Sequence, residues 1–168
     1  NKSMIAKLKG DKDSYYLTFD EIPQSVKDAM VVTEDRDFYK HEGVNFLSTA
    51  KAAVMLVESK LRHQDISRGG STITQQLAKN VFLSNERSYE RKVREIFIAL
   101  DLEKKYTKDQ ILEFYINNIY FANGYYGIEA ASKGYFNKSA KDLDLAEAAF
   151  LCSIPNRPSL YNPLEHYK

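Results

Sequence analysis

The sequence predicts one mainly α-helical domain, and three observations lead to this fold class. Apolar residues recur at three- and four-residue spacing along most of the chain, the period that gathers side chains on one face of a helix. Two of these stretches follow residues that favour helix starts, at Ser71-Thr72 and at Thr107. Strand-like composition is confined to residues 14–19, so helices are expected to dominate.

Length and composition are those of an ordinary globular protein. The 168 residues are 43% hydrophobic and 28% charged, which suits one domain with a real core. The 24 basic and 23 acidic side chains give a net charge of +1, so bulk attraction gives no argument for nucleic acid as a partner. The single cysteine, Cys152, cannot close an internal disulfide, and its apolar neighbours predict a small buried side chain.

The chain shows no secretory signal and no apolar run of about 18 residues. Because it opens at Asn1 without an initiator methionine, we expect a domain excised from a longer protein that carries the membrane anchor. Its three histidines have no metal-ligand spacing, so no dedicated zinc site is expected.

The first predicted helix follows the strand-like residues 14–19. Ile22-Pro23 precedes it, and proline suits the first turn of a helix that runs to about Glu34. A second helix is predicted over residues 46–61, where Met55 and Leu56 add apolar surface outside the main stripe. This helix belongs either to the core or to a surface that dips into a membrane. Its apolar stripe consists of Phe46, Leu47, Ala50, Ala53, Val54, Val57 and Leu61.

The third predicted helix follows a polar loop over residues 60–68 and the flexible pair Gly69-Gly70. Along it, one face carries polar side chains and the opposite face is apolar, which fits either a solvated surface helix or one that presents amides to a ligand. The polar face consists of Ser71, Gln75 and Lys79, and the apolar face of Ile73, Leu77 and Val81.

The fourth predicted helix, over residues 87–105, is expected to pack through Val93, Ile96, Phe97 and Leu100. Its far side carries Arg87, Arg91 and Glu95 at four-residue intervals, which is also the pattern of an ordinary surface ion-pair ladder. Ile98 and Leu102 follow Glu95 on nearly the same side, so Glu95 is expected at the lip of a cleft.

The remaining elements are expected to form scaffold. Thr107 to Gln110 has capping-box form and opens a helix that extends to about Ile119. Gly124 and Gly127 mark a turn, and two further helices are predicted over residues 128–136 and 143–153, the second ended by Pro155. Asn117, Asn118 and Tyr120 either face a ligand or are satisfied polar groups of the core.

Two glutamates in charged motifs carry the functional prediction. Glu34 stands in Glu34-Asp35-Arg36-Asp37, and Glu95 follows Arg91-Lys92. Between them lies a segment rich in amide, hydroxyl and basic side chains, residues 69–80. Paired carboxylates beside fixed cations indicate chemistry at a sugar that carries a phosphate leaving group.

These motifs resemble those of the peptidoglycan glycosyltransferases, glycosyltransferase family 51, over roughly residues 17–163. This family includes monofunctional transglycosylases and the first catalytic domain of bifunctional penicillin-binding proteins. Two features depart from its pattern: the segment between Gly43 and Gly69 is longer than the family's by a few residues, and Asn123 stands where many members have arginine. The matching motifs are Glu34-Asp35 with Phe38, His41 and Gly43; residues 70–76; Arg91-Lys92 with Glu95; and Lys108 with Ile111-Leu112, Tyr115 and Asn117.

The resemblance implies a lysozyme-like fold of two lobes, a head and a membrane-touching jaw around residues 46–61, with a cleft between them. It implies that the chain polymerises lipid II on the outer face of the bacterial cytoplasmic membrane. The donor would be the growing glycan on undecaprenyl pyrophosphate, and a β-1,4 link would form with inversion. The inhibitor moenomycin would occupy the same cleft.

The resemblance also implies a role for each motif residue. Glu34 would be the general base and Glu95 a supporting carboxylate, which orients cations or helps to hold a divalent metal, Mg²⁺ or Mn²⁺, at the pyrophosphate; no other cofactor is implied. Asp35 and His41 would brace the Glu34 loop, beside Phe38. The pyrophosphate would be matched by Lys79, Arg87, Arg91 and Lys92, and the donor sugar by Ser71, Gln75 and Gln76.

Two other functions fit parts of the pattern. A lytic transglycosylase or muramidase would share the fold and one catalytic glutamate, but it would have no pyrophosphate for the cationic cluster to neutralise. A catalytically inactive scaffold would not need both Glu34 and Glu95.

Overall fold

The computed structural model describes residues 15–46, 70–83 and 88–156. The predicted helix beyond Phe46, the loop over residues 60–68, the side chain of Arg87 and the tail after residue 156 lie outside the described residues. The described part is mainly helical, as the sequence predicts. Its α-helices are α1 (Gln24–Glu34), α2 (Ile73–Phe82), α3 (Tyr89–Lys105), α4 (Lys108–Asn118), α5 (Ile128–Phe136) and α6 (Leu145–Ser153).

The strand-like composition near the N-terminus gives no strand among the described residues. Residues 16–18 have no regular secondary structure, and the backbone of Leu17 pairs with a side chain: Leu17 N donates to Asn117 Oδ1 over 2.9 Å, and Asn117 Nδ2 donates to Leu17 O over 2.8 Å. One asparagine amide therefore supplies the donor and acceptor that a neighbouring strand would have offered. A short 3₁₀ helix, Phe19–Glu21, follows.

Helix starts agree closely with the capping residues in the sequence. Thr72 begins α2 and Thr107 begins α4, and in each the side chain accepts from the backbone N–H three residues on. Asp144 does the same for α6. Pro23 lies one residue outside α1, at its N-cap, rather than in its first turn.

The core is formed where α1 packs against α6 and where α2 packs against both α3 and α4. Cys152 is buried in the first of these contacts, as predicted, with Sγ 3.7 Å from Val26 O. The largest fully buried side chains include Met30 of α1, Ile73 and Leu77 of α2, and Ile111, Leu112, Tyr115 and Ile116 of α4.

The packing face predicted for α3 was wrong. Glu95, Ala99 and Leu102 are the buried residues of this helix, whereas Val93 is 51% and Phe97 is 66% exposed. The prediction placed the packing stripe on the side of α3 opposite Glu95, whereas the helix buries Glu95 itself, with its carboxylate paired to Arg91 and Lys92.

A tight turn connects α4 to α5 and contains one isolated bridge, between Tyr120 and Tyr126. Gly127 has φ +82° there, and a Cβ atom on it would lie 2.5 Å from Asn117 O. Glycine is therefore required at this position both by the backbone angle and by the contact. Within the described residues, no helix has the length and apolar character needed to cross a membrane.

Candidate active site

Glu34, the last residue of α1, has one bonded and one unbonded carboxylate oxygen. Gln76 of α2 donates from Nε2 to Glu34 Oε2 over 2.8 Å. Oε1 is buried and has no hydrogen-bond partner among the described residues. A buried acceptor without a partner is costly, so Oε1 is the atom of this carboxylate most ready to accept a proton.

Burial raises the pKa of Glu34 above its ordinary value, the hydrogen bond from Gln76 lowers this pKa, and the neighbouring Asp35 carboxylate raises it. The net direction is upward because removal of water disfavours the charged carboxylate. A carboxylate with a raised pKa is a stronger proton acceptor than an ordinary surface glutamate.

Tyr115 of α4 contacts the same glutamine from the other side. Its hydroxyl donates to Gln76 Oε1 over 3.0 Å, and its side chain is fully buried. The sequence predicted Tyr115 as scaffold and Gln76 as a sugar ligand. The signal that could have identified their contact is the tyrosine itself, since a hydroxyl on a buried helix face needs a hydrogen-bond partner.

Asp35 and His41 fasten the loop after Glu34 to the start of α2. His41 Nε2 lies 2.9 Å from Asp35 Oδ2, and Ile73 N donates to the same oxygen over 3.1 Å. Thr72 Oγ1 also donates to Gly43 O over 2.6 Å. These contacts hold the end of α1 against the segment that carries Gln76.

Phe38 lies below this loop rather than at an open surface. Its ring is fully buried, and Lys108 Nζ lies 4.5 Å from the ring centroid. The same ammonium is 2.7 Å from Glu103 Oε1, and Glu103 also accepts from Thr74 over 2.6 Å. Phe38 therefore supports the loop through packing.

Glu95 joins two cations of α3. Arg91 Nη1 donates to Glu95 Oε2 over 2.9 Å, and Lys92 Nζ bonds Glu95 Oε1. Lys92 also donates to Ser71 Oγ over 2.8 Å. Glu95 is only 2% exposed, so the prediction that it avoids open water is confirmed.

The other predicted site residues have different surroundings. Gln75 is fully buried and its Oε1 accepts from Thr72 N over 3.0 Å, so the prediction that it shares an exposed polar face with Ser71 and Lys79 was wrong. The helix cap uses its oxygen, while its Nε2 has no partner among the described residues. Lys79 is exposed, further along α2.

The cation-rich end of the site offers few metal ligands. Within residues 15–46, 70–83 and 88–156, no three His, Cys, Asp or Glu side chains are grouped so that they could hold a metal ion. Both oxygens of Glu95 are bonded to cations. A divalent cation would have to compete with Arg91 and Lys92 for this carboxylate, so these residues do not fit a metal site.

Comparison with known proteins gives a consistent family match. A family model described as transglycosylase matches residues 1–168. Penicillin-binding protein 4 of Bacillus subtilis is 45% identical over 166 residues, which cover 98% of this chain and 26% of that protein. Penicillin-binding protein 1A of Pseudomonas aeruginosa is 49% identical over 148 residues, 88% of this chain and 18% of that protein. Penicillin-binding protein 1A of Aquifex aeolicus is 44% identical over 157 residues, 94% of this chain and 21% of that protein. The chain thus spans about a quarter or less of the length of these relatives.

Proposed function

Because the chain belongs to the transglycosylase family, we propose that it is a peptidoglycan glycosyltransferase that polymerises lipid II into β-1,4-linked glycan. The donor is a glycan chain on undecaprenyl pyrophosphate, and the acceptor is the 4-hydroxyl of an incoming lipid II. Transfer inverts the anomeric carbon and releases undecaprenyl pyrophosphate. The arrangement of Glu34, Gln76, Ser71 and Lys92 is the observation that supports this proposal.

Activation of the acceptor hydroxyl is the role we assign to Glu34. A sugar hydroxyl is a poor nucleophile until a base within hydrogen-bond reach takes its proton. Glu34 Oε1 has no hydrogen-bond partner among the described residues, so once the acceptor hydroxyl reaches it, Oε1 can take that proton while Oε2 stays bonded to Gln76. As the proton moves to Oε1, the sugar oxygen forms a bond to the anomeric carbon.

Departure of the pyrophosphate requires positive charge on the opposite side of the reacting sugar, because an inverting displacement proceeds in line. The bond from the anomeric carbon to the pyrophosphate oxygen breaks, and its electrons leave with the diphosphate. Arg91 and Lys92 supply fixed cations for this group, and arginine can bind phosphate oxygens through two N–H groups. Glu95 orients both cations through its ion pairs.

The segment around the start of α2 connects these two functions. Gln76 bonds Glu34, and Ser71, five residues earlier, bonds Lys92. Gln76 lies in the first turn of α2 and Ser71 lies just ahead of its N-cap Thr72, so the hydrogen-bond partner of the base and that of the cations belong to one short segment. This single relationship carries the proposal.

The substrate classes and location follow from the proposed reaction. Lipid II and the polyprenyl diphosphate product are lipid-linked, so the domain would work at the outer face of the cytoplasmic membrane. Residues 46–61 are proposed to contact that surface, on the strength of their sequence pattern. Moenomycin is expected to compete for the same site, and no step of the reaction is assigned to a metal ion.

A direct experiment separates synthesis from cleavage. The chain is incubated with lipid II in one reaction and with finished peptidoglycan in another. Glycan polymer from lipid II, with no soluble muropeptides from finished peptidoglycan, is the expected result. Soluble muropeptides from the second reaction without polymer from the first would reject the proposal in favour of a muramidase or lytic transglycosylase.

A further inference from the structure

The orientation of one side-chain amide decides how Glu34 can work. Gln76 carries an oxygen that only accepts hydrogen bonds and an NH₂ group that only donates them. The NH₂ group faces Glu34 Oε2 at 2.8 Å, and the oxygen faces the Tyr115 hydroxyl at 3.0 Å. Rotation of the amide by half a turn would exchange these two groups.

The two orientations favour different protonation states of Glu34. With NH₂ toward Glu34, the amide stabilises an ionised carboxylate. With the oxygen toward Glu34, two acceptors would repel each other unless the carboxyl group carried a proton to donate. The amide orientation therefore determines whether Glu34 is an ionised base or a protonated acid before the substrate binds.

Tyr115 determines which orientation is stable. It is fully buried, and burial raises the pKa of its hydroxyl well above the ordinary value, so the hydroxyl keeps its proton. The one acceptor found for that proton among the described residues is Gln76 Oε1. If the amide rotated, the tyrosine proton would lose this acceptor inside the core, which is costly.

We propose that Tyr115 is a positioning residue of the active site: its hydroxyl holds the Gln76 amide with the NH₂ group on Glu34, which keeps Glu34 ionised before transfer and directs the substrate proton to Oε1. This inference deepens the proposed function and rests on it, because Tyr115 acts through the base assigned there. Gln76 then serves the base as a hydrogen-bond donor and not only as a ligand for sugar.

The other groups around Glu34 do not replace this effect. Asp35, which follows Glu34 in the chain, raises the pKa of Glu34 and is itself bonded to His41 and to Ile73 N. Cys152 of α6 also interacts with Glu34, but burial first, and the Glu34 charge second, raise the pKa of its thiol to about 12. The thiol is therefore neutral at working pH. Among the described residues, Gln76 is the group found to lower the pKa of Glu34.

The test reads the ionisation of Glu34 directly in the whole chain. Carboxyl carbons of glutamate are labelled with ¹³C and titrated by NMR, and the Glu34 signal is assigned by its loss in Glu34→Gln. Tyr115→Phe removes one hydroxyl, and we expect the Glu34 midpoint to rise by about one pH unit. Tyr16→Phe is the matched control, because it removes a tyrosine hydroxyl that donates to Glu113 over 2.6 Å and not to Gln76; its midpoint should stay within about 0.2 units of the wild type, a fraction of that shift.

A second pair of variants tests the route through the amide. Gln76→Met breaks both hydrogen bonds and should raise the midpoint at least as far as Tyr115→Phe. In the Gln76→Met background, Tyr115→Phe should add no further rise, since coupled residues are not additive. An unchanged midpoint in Tyr115→Phe, or an equal rise in Tyr16→Phe, would overturn the proposal. If Tyr115→Phe does not fold, an unchanged midpoint in Gln76→Met overturns it instead.

The acidic limb of the pH–rate profile for lipid II polymerisation should move with the NMR midpoint. A purely structural loss would lower the rate at every pH without moving that limb. The two proposals can be rejected separately. If the midpoints move as expected but the wild type makes no polymer, the positioning role of Tyr115 is supported and the proposed function is rejected. If the wild type polymerises and the midpoints stay fixed, only the role of Tyr115 is rejected.

Discussion

Lys92 donates a hydrogen bond to Ser71 Oγ over 2.8 Å, and this contact joins the N-terminal end of α3 to the segment just ahead of α2. Because Gln76, in the first turns of α2, bonds Glu34, the carboxylate and the cations are joined through one short segment. Each of the two proposed tasks, proton removal and stabilisation of diphosphate, can be tested by its own substitution.

Arg91→Ala should weaken the binding of moenomycin or of a lipid that carries pyrophosphate by about tenfold to a hundredfold, the usual effect of a lost hydrogen bond to a charged group. Arg94→Ala is the control, since Arg94 is exposed three residues further along α3 and should change affinity less than about threefold, in keeping with the small energies of exposed charges. Affinity is measured by calorimetry. An unchanged affinity in Arg91→Ala would remove this guanidinium from the site.

Glu95→Ala should destabilise the fold by about 3 kcal/mol, because it leaves Arg91 partly buried without its partner carboxylate. The matched control is Asp101→Ala on the same helix, whose pair with Lys104 is 3.9 Å long and exposed on both sides. That change should cost less than about 0.5 kcal/mol. Urea unfolding of both variants gives the comparison, and equal losses would contradict the account of Glu95 as a buried ion-pair centre.

Gly127→Ala tests the turn that connects α4 to α5. A Cβ atom there would lie 2.5 Å from Asn117 O, whereas one on Gly124, at the same φ of +82°, would meet nothing within 4 Å. Gly127→Ala should therefore cost about 3 kcal/mol and Gly124→Ala only about 1 kcal/mol of backbone strain. Thermal unfolding measures the loss of stability in each variant. Similar losses would contradict a role for the contact with Asn117 O and would leave backbone strain as the cause.

The scaffold was largely predictable from the sequence because its signals are local. Thr107 and Gly127 act through the backbone a few residues away, and the structure confirms the helix starts they predict. The face of α3 was not predictable in this way. Burial of Glu95 depends on Arg91, Lys92 and Ser71, and the spacing of apolar residues carries no information about contacts between separate elements.

In the candidate site, too, local signals were predictable and contacts between separate elements were not. The family motifs contain Glu34, Gln76 and Tyr115, but the sequence does not show that their side chains form one row of hydrogen bonds. The lengths and packing of α1, α2 and α4 create that row. Gln75 differs, because its contact with Thr72 is local and belongs to a helix cap. The contact was missed because polar side chains on one helix face were expected to point outward.

The raised pKa of Glu34 has a consequence for stability. The folded state binds this proton more tightly than the unfolded chain, so stability falls as pH rises from the unfolded pKa of about 4.3 through the folded pKa. Glu34→Gln removes that cost and should stabilise the fold at pH 7.5, with a smaller gain at pH 4. Urea unfolding at both pH values checks the sign; a larger gain at pH 4 would contradict it.

The rate of lipid II polymerisation by Glu34→Gln tests the central claim most directly. The variant should lose at least about a hundredfold in rate, the usual contribution of a general base, while moenomycin still binds. Glu42→Gln, at an exposed carboxylate between His41 and Gly43, should polymerise at nearly the wild-type rate. If Glu34→Gln keeps most of the wild-type rate, Glu34 is not the base and the proposed mechanism is wrong.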